Sequence, residues 1–138
     1  MRTLHIGLRV TDLGRSLAFY AAIGYEVVGS VPETPIGHLT MLKLPGDEFV
    51  TIELVHDGKP VDRGTDLSHL VVKVESMADM LEALAGHGIE PVEPRQERAD
   101  GPETTFIADP DGRRIELVQW PAAHPDGMTA ADWSQERG

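Results

Sequence analysis

The chain repeats itself, and the repeat limits its fold more than any single motif does. Shifting the sequence by 64 positions places His5 on His69, Val10 on Val74, Leu17 on Leu81 and Gly24 on Gly88. A shift of 63 places Glu53 on Glu116, together with the tetrapeptide Ile-Glu-Leu-Val around each. A period of this length marks one supersecondary unit used twice, so an assignment of elements must hold for both copies.

Read with that constraint, Thr3 to Val10 alternates, with Leu4, Ile6, Leu8 and Val10 on one face and His5, Gly7 and Arg9 on the other. Period two is the pattern of a strand with one face on a core. Asp12 is placed to cap a helix carrying Leu13, Leu17, Tyr20 and Ala21, and Gly24 closes it. Strands follow at Tyr25–Ser30, Leu39–Leu44 and Phe49–Val55. After Gly58, Pro60 and Gly64, which mark a linker over 56–66, the order restarts. It gives a strand at Ser68–Val74, a helix capped by Ser76 and closed by Gly88, a strand near Ile89–Val92, and strands at Glu103–Ala108 and Arg114–Trp120, joined by the turn Asp109-Pro110-Asp111-Gly112. The expected fold is α+β. Two tandem βαβββ units, residues 1–56 and 66–120, form curved mixed sheets with helices outside, in one domain over 1–120. Residues 121–138 are an extension, docked or loose, in which no residue suggests chemistry.

With 138 residues the chain can build one domain with a true core. Its formal net charge of −11 argues against nucleic acid or an anionic membrane as partner. It has no cysteine, which excludes disulfides, zinc-thiolate sites and thiol nucleophiles. No apolar run reaches the roughly 20 residues of a membrane span, and the N-terminus has no secretory-signal pattern, so a cytoplasmic protein is expected.

Each Ile-Glu-Leu-Val strand sets a carboxylate among core-forming neighbours, which is costly unless the charge is compensated. The parity of the strands offers the compensation. His5, Glu53, His69 and Glu116 all oppose the core-facing residues of their strands, so helices on one face would leave these four side chains on the other. Two imidazoles and two carboxylates suit a divalent transition metal such as zinc, nickel, iron or cobalt, whereas calcium and magnesium prefer more oxygens. His38, His56, His87 and His124 lack the matched facing and read as surface histidines.

The segments LHIGLRVTDLGRSLAFY, VTIELV, SHLVVKV and FIADPDGRRIELVQ occur in an order that resembles the vicinal-oxygen-chelate superfamily, and within it the metal-dependent glyoxalase I (lactoylglutathione lyase) group. The resemblance spans about residues 1–119. It implies that His5, Glu53, His69 and Glu116 bind a divalent metal (nickel, zinc or cobalt, with the compact loops leaning toward nickel or cobalt), in a homodimer with active sites at the interface. The implied reaction isomerises the hemithioacetal of methylglyoxal and a low-molecular-weight thiol to a 2-hydroxyacyl thioester. Glu116 is the first choice of proton-shuttling base and Glu53 its symmetric counterpart. Arg9 matches the arginine that helps to bind the thiol's carboxylate, and Arg98 stands where a basic loop residue could close on it. Asp57 departs from the asparagine common at that place in the group and would repel a carboxylate, which points to another thiol or to a substrate that is not a thiol adduct. Three roles in the same superfamily compete with this one: a drug-binding resistance protein, an acyl-CoA epimerase and an extradiol-type dioxygenase.

Overall fold

The computed structural model describes residues 1–62, 67–97 and 101–134. Two compact units divide the chain. The first takes residues 1–67 together with 109–113, and the second takes 68–108 and 114–138.

In the first unit the order is β1 (Ile6–Arg9), α1 (Leu13–Ala22), β2 (Glu26–Val31), β3 (His38–Lys43) and β4 (Ile52–His56). The sheet runs β1-β4-β3-β2, with β1 and β4 parallel and the other pairs antiparallel. Asp12 caps α1 as its sequence predicts, its Oδ1 accepting the Arg15 N–H at 2.9 Å. Gly24 closes the helix at φ 110°, a left-handed conformation that suits glycine because it lacks a Cβ. The helix buries Ser16, Phe19 and Tyr20, and Leu8, Leu42, Ile52 and Leu54 from the sheet join them in the core.

The turn Asp109–Arg113 belongs to this unit and is built around a buried carboxylate. Asp109 Oδ2 accepts the Tyr20 hydroxyl at 2.8 Å and Arg113 Nη1 at 2.6 Å, while its Oδ1 accepts the backbone N–H groups of Asp111 and Arg113. These bonds compensate the carboxylate for lost water. Burial, reinforced by the charge of Asp109, pushes the Tyr20 phenol far above its ordinary pKa, so it acts only as a hydrogen-bond donor here. Arg113 Nη2 also donates to the Arg9 carbonyl at 2.9 Å, which fixes the end of β1.

The second unit carries β5 (His69–Lys73), α2 (Met77–Ala85), β6 (Glu103–Ala108), β7 (Arg114–Gln119) and a short α3 (Ala131–Ser134). Its sheet runs β5-β7-β6, with β5 and β7 parallel and β6 and β7 antiparallel. Ser76 caps α2, and Gln119 Oε1 also accepts the Met77 N–H at 2.6 Å, tying the helix start to the end of β7. Met77 and Leu84 pack with Ile107, Ile115 and Leu117 in its core.

The two units are thus α+β with mixed sheets, but they are not identical. The strand expected near Ile89–Val92 does not form. The segment keeps a hydrogen bond from Val92 N–H to the Phe106 carbonyl at 2.8 Å and an isolated bridge between Gln96 and Thr104. Pro91 and Pro94 account for this, because neither has an N–H to give to a ladder. The second unit is therefore βαββ where the first is βαβββ. Strand edges move as well, since β4 begins at Ile52 and leaves Phe49 exposed.

Candidate metal centre

The parallel pairing of each unit places one histidine beside one glutamate. In the first unit Gly7 is in register with Glu53, and in the second Val71 is in register with Glu116. His5 and His69 each lie two residues before the register partner. Residues two apart on a strand share a face, so each imidazole stands over the neighbouring strand's carboxylate. His5 Nε2 is 3.1 Å from Glu53 Oε2, and His69 Nε2 is 3.3 Å from Glu116 Oε1. The burial of the two Ile-Glu-Leu-Val strands matches position by position. Ile52, Leu54 and Val55 are buried around a half-buried Glu53, as are Ile115, Leu117 and Val118 around Glu116.

The donor chemistry fits a cation. A neutral imidazole's lone pair and a carboxylate oxygen repel at this separation unless a proton or a metal ion lies between them. Both pairs stay partly open, with side-chain exposures of 35% and 15% for His5 and Glu53 and 34% and 22% for His69 and Glu116. Ser68 Oγ lies 2.8 Å from His69 Nδ1, where it can accept the Nδ1 proton and leave the Nε2 lone pair for a metal. The ring of His69 also meets Phe106 edge-on at 5.6 Å. Among the described residues no group of three or more metal-ligating side chains forms within the chain, so the expected four donors occur as two pairs.

Arg9 and Asp57 continue the first unit's arrangement along the same two strands. Arg9 lies on the His5 face of β1, and Asp57 directly follows β4, four residues beyond Glu53. Arg9 Nη1 donates to Asp57 Oδ2 at 3.0 Å, and Asp57 Oδ1 accepts the Lys59 N–H at 3.0 Å. That N–H, with the positive charges of Arg9 and Lys59, holds the Asp57 carboxyl below its ordinary pKa. The pair opens on a cavity of about 410 Å³ lined by Arg9, Asp57, Lys59, Pro60, Val61 and Asp62. Arg98 lies outside the described residues.

Two features were missed in the sequence. Lys73 stands at the position matched to Arg9, and the repeat itself would have flagged it; its ammonium pairs with Asp126 and Glu75, each at 2.7 Å. His124, read as a surface histidine, stacks on Trp120 with ring centroids 4.1 Å apart and bonds Asp132 Oδ1 at 2.7 Å. Among the described residues of the extension, Asp126 ties it to Lys73 of its own unit.

The sequence profile of the Glyoxalase/Bleomycin resistance protein/Dioxygenase superfamily matches residues 2–117. The chain belongs to that superfamily. Its relatives include a lactoylglutathione lyase of Neisseria meningitidis serogroup A, 32% identical over 126 residues, which cover 86% of this chain and 91% of the relative. A relative from Brassica oleracea, also named for that activity, is 30% identical over 124 residues, and the chain spans only 44% of its length. Among solved structures, the trypanothione-dependent glyoxalase I of Leishmania major superposes with a TM-score of 0.69 at 26% identity, over 86% of both chains. TnmS3, an antibiotic-binding protein from Streptomyces sp. CB03234, superposes equally well at 0.69 with 20% identity, over 88% of this chain and 98% of its own. At that identity the likeness is one of fold, and superfamily membership leaves the activity open.

Proposed function

We propose that the protein is a metal-dependent isomerase of the glyoxalase I type, converting the hemithioacetal of methylglyoxal and a low-molecular-weight thiol to a 2-hydroxyacyl thioester. The observation that carries this reading is the duplicated histidine–glutamate pair, in the same parallel register in both units. A drug-binding groove has no need for two such pairs, whereas a metal site needs deprotonated carboxylates and neutral imidazoles brought together. The relatives named lactoylglutathione lyase support the same choice.

His5 and Glu53 of one chain, with the second pair of a partner copy, would hold nickel, zinc or cobalt in a cytoplasmic homodimer with its active sites at the interface. Bound there, the cation supplies Lewis acidity toward the two adjacent oxygens on which negative charge develops. The chain's own residues do the rest. Glu116 removes the proton from the carbon bearing the thiol sulfur, and the same carboxyl returns it to the neighbouring carbon, so the proton count is conserved. Glu53 is its symmetric counterpart. Arg9 and Asp57 line the place for the thiol's arm.

The experiment is thioester formation from methylglyoxal across a series of thiols, with wild-type protein and Glu116→Gln. Turnover with at least one thiol, reduced about 100-fold or more in the variant, is expected from the loss of a general base. Equal activity in the variant would contradict the assignment.

A further inference from the structure

We propose that the Arg9–Asp57 pocket selects the thiol by charge, accepting an uncharged arm rich in hydroxyl and amide groups and disfavouring one that ends in a free carboxylate. This rests on the isomerase reading above and names its substrate class.

The cation that would otherwise receive a carboxylate is already engaged. Arg9 is half exposed, but its Nη1 is held by Asp57 at 3.0 Å. Asp57 cannot easily turn away, because its other oxygen is fixed by the Lys59 N–H. The loop that carries Asp57 is itself anchored, with the Val61 N–H donating to Thr11 Oγ1 at 2.8 Å. The pocket is therefore preorganised, which lowers the ordering cost of binding.

Its charges cancel. Arg9 and Lys59 are positive, Asp57 and Asp62 negative, and all four line the same cavity of about 410 Å³. An incoming carboxylate would bond Arg9 only by sitting against Asp57, and like charges so placed repel. A hydroxyl or amide meets no such penalty. A guanidinium has donors beyond the one that Asp57 takes, and a carboxylate has lone pairs beyond those taken by Arg9 and Lys59. A polyhydroxylated arm can therefore donate to one partner and accept from the other at once. The cavity volume is in the range of small-molecule sites.

The test measures binding, so that it does not depend on turnover. Metal-reconstituted full-length protein is titrated calorimetrically with S-methylglutathione, which carries free carboxylates, and with S-methylmycothiol, whose pseudodisaccharide arm carries none. Wild-type protein should bind the mycothiol conjugate about tenfold tighter or more, and Asp57→Asn should tighten S-methylglutathione by about tenfold while moving the other less than about threefold. A wild-type preference for S-methylglutathione, an unchanged ratio in Asp57→Asn, or no binding of either conjugate would overturn the proposal. Discrimination in binding without thioester formation from either thiol would leave this selection standing and remove the isomerase reading instead.

Discussion

His5 Nε2 stands 3.1 Å from Glu53 Oε2 because the imidazole lies two residues before the glutamate's register partner on a parallel strand, and His69 reaches Glu116 by the same offset. One backbone relationship, used twice, sets both pairs. It also explains how a glutamate survives in an otherwise apolar strand. The strand's alternation turns the carboxylate away from the buried Ile52 and Leu54, and the neighbouring histidine gives it a partner or a shared cation.

Ser68 should tune the second pair. If its hydroxyl accepts the His69 Nδ1 proton across their 2.8 Å contact, removing it loosens the ring and its tautomer. Ser68→Ala should then weaken metal affinity by about tenfold with little change in fold, the usual size of such outer contacts. Competition with a chromophoric chelator measures it, and an unchanged affinity would exclude the role.

The buried Asp109 predicts a stability effect away from the metal centre. Tyr20→Phe deletes the 2.8 Å bond and leaves the carboxylate partly unsatisfied in a site that water does not reach. A loss of about 1–3 kcal/mol in urea unfolding is expected from such a vacancy. The pairs at His5 and His69 should keep their metal affinity.

Docking of the extension should respond to pH. Both ring nitrogens of His124 face acceptors, Asp132 Oδ1 and the Pro125 carbonyl, and the ring stacks on Trp120. Asp132, then the Pro125 carbonyl, raises its pKa above the ordinary 6.5. The folded chain thus holds this proton more tightly than the unfolded one. The stabilisation is complete below about 6.5 and is lost as pH rises through the raised value. In a Trp133→Phe background, which leaves Trp120 as the sole tryptophan of the chain's two, indole fluorescence should change across that window. The change should vanish in His124→Ala.

The legible part of the structure was the local part. Asp12 and Ser76 announce their helices because a cap is a contact within one turn, and Gly24 and Gly88 end them through backbone conformations that suit glycine. The shared facing of each histidine and its glutamate, His5 with Glu53 and His69 with Glu116, was legible through strand parity, which needs no knowledge of the partner strand. Two things were not legible. The strand near Ile89–Val92 was inferred from the repeat, and Pro91 and Pro94 overrode it by withholding N–H groups from the ladder. The Arg9–Asp57 pairing could not be read from local sequence, because 48 positions separate the two residues. The sequence shows Asp57 as a lone charge, whereas the structure pairs it with Arg9 while both line the same cavity.

The most direct test is metal reconstitution. Chelator-treated protein should be inactive toward the methylglyoxal hemithioacetal of its preferred thiol. Titration with nickel should restore thioester formation, saturating near one metal ion per chain, and His5→Ala and His69→Ala should each abolish the recovery. Full turnover without added metal, or recovery in either variant, would contradict a metal centre built from the paired histidines and glutamates.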